Sequence, residues 1–166
     1  MIIFKDIVSD NTIFTDRNLY TLVDDLYYEL KGKVITEEAG EIDDAAIGNS
    51  SAGKVESAGA AVTGIDFVLQ NRLVETGFSS VKDFKKYIKD YIAKIVTNIK
   101  DHNPDRVEIF KKKVNVKMAE IIKTFSDWKF FMVESMDAEA LHVLVKEDGK
   151  TAIGLVWKDG VKEEKV

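Results

Sequence analysis

The only proline of this chain, Pro104, stands between two apolar stripes of helical period. Before it Val81, Phe84, Ile88, Tyr91, Ile92, Ile95 and Ile99 recur at spacings of three and four, and after it Val107, Phe110, Val114, Met118, Ile121, Ile122 and Phe125 do the same. That period gives each segment one apolar helical face. The pyrrolidine ring disfavours helix at Asn103 and removes a backbone donor, so the stripe is cut into two helices. Ser79 or Ser80 can cap the first. Two helices joined by so short a connection fold back as an antiparallel hairpin, here over about residues 80–125.

The flanking segments read as strands. Met1 to Val8 is β-branched and apolar around Lys5 and Asp6, and Leu19 to Glu29 reads as extended, although Leu19, Leu22, Val23 and Leu26 also suit a helix face. A turn at Gly32 is expected to lead into a short strand, Val34 to Thr36, and Gly64 to Leu69 returns to strand character. Trp128 to Val133, Leu141 to Val145 and Ala152 to Trp157 follow as a meander, with turn signals at Asp148-Gly149 and Asp159-Gly160. Glu37 to Val62 holds four glycines and no aromatic residue, the composition of a long mobile loop. Strands and helices are segregated rather than alternating, so the 166 residues read as one α+β domain spanning the chain.

The absence of cysteine excludes disulfides, thiolate zinc sites, iron–sulfur clusters and cysteine nucleophiles. No apolar run approaches the ~20 residues that span a bilayer, and Lys5 and Asp6 interrupt the N-terminal one, so a soluble cytoplasmic protein is expected. The net charge of −5 disfavours direct nucleic-acid binding. Its distribution is uneven. Residues 80–125 carry twelve basic and six acidic side chains, a local charge of +6 that leaves −11 for the remainder. Such a chain steers acidic partners toward one end.

No glycine-rich phosphate loop is present, and neither His102, in a polar helix connection, nor His142, alternating with apolar residues, forms a recognisable nucleophile set. No catalytic or cofactor-binding residue is assigned, and a non-enzymatic protein is expected. The carboxylates Glu37, Glu38, Glu41, Asp43 and Asp44, and separately Glu163 and Glu164, lack EF-hand spacing and allow weak calcium binding at most. Lys111 to Lys113 fan over more than half a helical turn, and Trp128, Phe130 and Phe131 read as core.

Seven blocks in order carry a resemblance over essentially the whole chain: MIIFKDIVSD, GEIDDAAIGNSSA, TGIDFVLQNRLVETGFS, FKKYIKDYI, NPDRVEIFKKK, FSDWKFFMVESMDAEA and KDGVKEEKV. Together they resemble the translationally controlled tumour protein family, also called fortilin or histamine-releasing factor. The resemblance implies a β-tent with a protruding helical hairpin. It implies a cytosolic interaction protein associated with translation elongation factors, small GTPases and tubulin, with calcium binding, microtubule stabilisation and anti-apoptotic partners. On this reading Lys85, Lys86, Lys89, Lys111, Lys112 and Lys113 form a basic docking surface for elongation factors. The alternative is a regulator of a small GTPase, an exchange factor or an inhibitor of exchange, contacting it near Thr12 and Glu134.

Four positions depart from the family pattern. Val133 stands where a glycine is usual, so backbone or contacts are expected to differ there. Thr12 replaces a glutamate that faces a GTPase in the family reading, which weakens guanine exchange. Gly53 replaces a loop glutamate, and Val166 replaces a terminal cysteine, excluding a disulfide dimer through that end.

Overall fold

The structure, a computed structural model, describes residues 1–38 and 61–166. Ten strands are present among them: β1 (Ile2–Asp6), β2 (Thr12–Thr15), β3 (Leu19–Val23), β4 (Tyr27–Glu38), β5 (Ala61–Ile65), β6 (Val74–Thr76), β7 (Lys129–Met132), β8 (Val143–Asp148), β9 (Thr151–Trp157) and β10 (Val161–Lys165). The α-helices are α1 (Asp66–Gln70), α2 (Val81–His102) and α3 (Val107–Lys123). A three-stranded sheet has the order β10-β1-β2, and a seven-stranded sheet has the order β3-β4-β9-β8-β7-β6, with β5 pairing the far end of β4. All the pairings are antiparallel. The α+β class and the inserted helical hairpin stand as read from sequence.

Both helices bury the stripe their period marks out. In α2 these are Phe84, Ile88, Tyr91, Ile95 and Ile99, and in α3 Val107, Phe110, Val114, Met118 and Ile121. Ser80 is the N-cap of α2, its hydroxyl accepting from the Asp83 amide at 3.2 Å. Pro104 opens a 3-10 turn, Pro104–Arg106, in which its missing N–H costs nothing. The root of the hairpin rests on β7, where the Phe130 ring lies 5.2 Å from Phe84 and 5.5 Å from Phe125. The two sheets meet through aromatic rings: Phe4 of β1 stacks on Phe14 of β2 at 4.2 Å and meets Tyr28 of β4 at 5.2 Å.

Several strand expectations are corrected. Gly32 is no turn. It lies inside β4 opposite Ala152, and its missing side chain leaves room for the Phe67 ring. Leu19 to Glu29 is two strands joined by a turn in which Asp24 and Asp25 both have φ 54°, a conformation aspartate tolerates. Gly64 to Leu69 is strand only to Ile65, after which Asp66 opens α1. The polar stretch Ser9 to Asn18 contains β2, and β6 and β10 are further strands the alternation did not disclose. The expected loop at 37–62 begins later and ends earlier, because β4 runs to Glu38 and β5 starts at Ala61; the rest of it lies outside the described residues. Asp159-Gly160 belongs to a 3-10 turn that carries the chain from β9 into β10 on the other sheet.

Candidate functional site

Charge on the helical hairpin is sorted by position around each helix. At about 100° per residue, Lys82, Lys85, Lys86, Lys89 and Lys100 of α2 fall within roughly a third of its circumference, and Asp83, Asp90 and Asp101 fall on one flank of that band. Lys85, Lys86, Lys89, Lys111 and Lys112 are exposed, and none forms an ion pair among the described residues. Lys113 is a correction. Half-buried, it donates to the Asp24 carbonyl at 2.8 Å and faces the Asp24 carboxylate at 3.6 Å, so it holds α3 to the β3–β4 turn rather than offering a free charge. Lys94, on the same flank of α2 as the aspartates, reaches Glu139 at 3.5 Å.

The connection between α2 and α3 is fastened by Arg106. Its guanidinium meets Asp159 through two nitrogens, both at 2.9 Å, and Asp25 at 2.6 Å, while Lys158 reaches the other Asp25 oxygen at 2.9 Å. The hydrogen bond from Lys158, and then that from Arg106, pull the Asp25 carboxyl down to about 2. Beside this clamp lies a cleft of about 200 Å³ bordered by Tyr28, Asn98, His102, Arg106, Lys158 and Glu163. His102 is exposed there, its Nδ1 2.8 Å from the Asn98 carbonyl.

The loops beside Thr12 and Glu134, distant in sequence, are joined. Asn11 accepts a hydrogen bond from the Ser135 hydroxyl at 2.6 Å, which ties the loop before β2 to the loop after β7. Thr12 is half-buried at the start of β2, and Glu134 is exposed and lies 3.4 Å from Arg72. Val133 needs no glycine conformation. It is buried, and the positive φ of this loop falls on the exposed Met136 (φ 61°), whose amide closes a turn onto the Val133 carbonyl at 2.8 Å.

Beneath these surfaces is a buried polar centre that sequence reasoning missed. Asp6 is fully buried, and its carboxylate accepts from the Ser9 amide (2.8 Å), the Ser9 hydroxyl (2.7 Å), the Tyr91 hydroxyl (3.2 Å) and the Leu141 amide (3.3 Å). Four donors make such a buried carboxylate tolerable. Tyr87 donates to the Ala140 carbonyl at 2.6 Å and accepts from the His142 amide at 3.0 Å, and burial pushes both tyrosine hydroxyls well above their ordinary value. His142 is not on a strand face. It is buried just before β8, 4.3 Å from the Tyr87 ring, and burial pushes its pKa down. These groups hold β1, α2 and the segment before β8 together.

Glu163 and Glu164 do not gather into a cation site. Glu164 pairs with Lys5 at 2.6 Å, and among the described residues no three acidic, histidine or cysteine side chains converge as a metal would need. Glu41, Asp43 and Asp44 lie outside the described residues. No described helix is long and apolar enough to cross a membrane.

Comparison with known proteins agrees over the full length. The profile of the family described as "Translationally controlled tumour protein" matches residues 1–162. A translationally-controlled tumor protein homolog of Branchiostoma belcheri is 40% identical over 172 residues, covering 99% of each chain, and the Mus musculus protein of that name is 34% identical over 172 residues with the same coverage. The solved structure of the translationally controlled tumor-associated protein p23fyp from Schizosaccharomyces pombe superposes with a TM-score of 0.82 at 33% identity, covering 100% of both chains. That of the Caenorhabditis elegans protein superposes with a TM-score of 0.72 at 27% identity, covering 100% of this chain and 99% of the other.

Proposed function

The chain belongs to the translationally controlled tumour protein family, and from that premise we propose that it is a non-enzymatic interaction protein of the cytoplasm that docks translation elongation factors through the lysine face of α2 and α3. One observation carries this reading: Lys85, Lys86, Lys89, Lys111 and Lys112 are exposed and without an acidic partner among the described residues. Charges left unpaired on a firm scaffold are available to an acidic surface, and they raise the rate of encounter more than the depth of binding. The rest of the hairpin supports it, since Arg106, Lys113 and Lys94 tie the two helices to the sheet and so fix the direction of the free lysines.

The test is recovery of elongation factors from a lysate on the immobilised full chain across a salt series, beside a variant with the five lysines changed to alanine. The Debye length is ~8 Å at physiological ionic strength and ~3 Å at 1 M, so recovery should fall steeply with salt and should be low at every salt for the variant. Equal recovery by the variant would reject this face.

A second reading has its own observation. The Asn11–Ser135 hydrogen bond ties the loop before Thr12 to the loop that carries Glu134, which supports a contact with a small GTPase at these loops. Release of a fluorescent guanine nucleotide from candidate GTPases, with Glu134→Ala as control, tests it; nucleotide release unchanged by the protein would reject it.

A further inference from the structure

Tyr28 of β4 is only 7% exposed, and Phe4 and Phe14 hold its ring at 5.2 and 5.5 Å. It lines the cleft of about 200 Å³ beside the Arg106 clamp, where α2, β4 and β10 meet. A tyrosine buried this deeply usually finds a hydrogen-bond partner for its hydroxyl. Tyr28 donates to none among the described residues. Since no fully buried side-chain oxygen there lacks a partner, this hydroxyl opens to the cleft. Burial, and then the charge of Glu163, push its pKa up to about 12, so it stays protonated at ordinary pH.

Two further groups of the cleft are acceptors. Glu163 stands opposite Phe4 in the β1–β10 register, hence on the face of the small sheet turned to Tyr28. It is exposed and forms no ion pair among the described residues. Arg106 and Lys158 also border the cleft, but Asp159 and Asp25 meet their charges, each at 2.9 Å. Glu163 is therefore the one charge there without a counter-ion among the described residues. His102 is the last residue of α2, and its Nδ1 lies 2.8 Å from the Asn98 carbonyl. A carbonyl only accepts, so Nδ1 carries the hydrogen and Nε2 of the neutral ring is an acceptor. The negative end of the α2 dipole adds to the same preference.

We propose that this cleft is a binding site for a small aliphatic primary ammonium ion, held by the Glu163 carboxylate, His102 Nε2 and the Tyr28 hydroxyl oxygen. An ammonium group presents three N–H donors and no acceptor, which matches three acceptors around one negative charge. A quaternary ammonium carries the same charge and can satisfy none of them. The aliphatic part of the ligand lies against Ile99 and Val161, the apolar lining of the cleft. A volume of about 200 Å³ is below the roughly 300–1,000 Å³ of sites for drug-sized molecules, so the ligand is a short-chain amine. An anion is disfavoured, because the guanidinium and ammonium groups that would receive it are already bonded to aspartates.

Titration of the ¹⁵N-labelled full chain with butylammonium chloride, followed by amide chemical shifts at constant total salt, tests this. Butyltrimethylammonium chloride and butanol serve as the donorless cation and the neutral molecule of similar chain. The expected result is saturable shifts at Tyr28, His102 and Glu163 with butylammonium, and binding weaker by at least about tenfold for the other two probes. Glu163→Gln, an exposed change that keeps the shape, should raise the dissociation constant by at least about tenfold. Tyr28→Phe, which keeps the ring and its aromatic contacts, should raise it several-fold. Circular dichroism of both variants should match the parent. Shifts that never saturate, or that saturate away from this cleft, overturn the proposal. So does butyltrimethylammonium binding as tightly as butylammonium, or butylammonium binding that Glu163→Gln leaves unchanged.

Discussion

Arg106 does work that no neighbouring residue can take over. Its planar fork meets the Asp159 carboxylate with two nitrogens, and that pair is mostly shielded, with 16% and 12% of the two side chains exposed. Removing the arginine strands a shielded carboxylate, which costs more than the pair itself is worth. Arg106→Ala should therefore lower unfolding stability by about 2 kcal/mol, read from urea denaturation, and Arg106→Lys should recover only part because an ammonium cannot bond both oxygens in the same plane. Asp25 and His142 act through pH in different windows. The Asp25 carboxyl is held at about 2, below its unfolded value, so its contribution is complete above about pH 4 and is lost as pH falls toward 2. His142 is a base with a lowered folded pKa, so the unfolded chain takes up the proton first and stability falls as pH drops below about 6.5. Denaturation at a series of pH values should show both losses, and His142→Phe should remove the upper one while leaving the lower; a variant that still loses the same stability between pH 6.5 and 5 would show that another group titrates there.

The glycines of β4 and β9 show how one side chain shapes two strands. Phe67 of α1 lies over Gly32 and Gly154, and a Cβ added at Gly154 would stand 2.9 Å from the Phe67 ring. Because Leu30 closes the other side at 3.4 Å, Gly154→Ala should cost about 1–3 kcal/mol in overpacking. Gly77→Ala, where no atom lies within 4 Å, should leave the thermal midpoint nearly unchanged. The same pair explains what sequence reading could and could not see. The helices were legible because fourteen apolar residues repeat at one period and Pro104 marks the break. Gly32 was misread as a turn because its reason is a ring supplied from residue 67, and nothing local announces that. β10 was missed because VKEEK has the composition of a solvated tail; its strand form comes from pairing with β1 at the other end of the chain. The lysine face was legible as a charge count, yet Lys113 left it through a contact with Asp24, 89 residues away. Thr12 and Glu134 were reached through resemblance alone, and Asp6 was hidden because an aspartate in a strand reads as a surface residue until four donors are seen around it.

Taken together, a hairpin of charge +6 stands on a remainder of −11, and ion pairs run between the two. Salt acts on this arrangement in two ways that can be separated. The exposed links, Lys94 to Glu139 and Lys113 to Asp24, are each worth a few tenths of a kcal/mol and are readily screened. The Arg106–Asp159 pair is shielded and screened less, and the rings of Phe84, Phe125 and Phe130 hold the root of the hairpin without charge. Raising salt from about 0.05 M to 1 M should therefore lower unfolding stability by less than about 1 kcal/mol. The lysines that form no ion pair among the described residues have no such support, and on the proposed reading their opposite charges belong to a partner reached through solvent. Over that range recovery of elongation factors should disappear while the far-ultraviolet circular dichroism and the urea midpoint change little. If midpoint and recovery fell in parallel, the lysine face would depend on salt through the fold that carries it, and the charge of Lys85, Lys86, Lys89, Lys111 and Lys112 would not be what docks the partner.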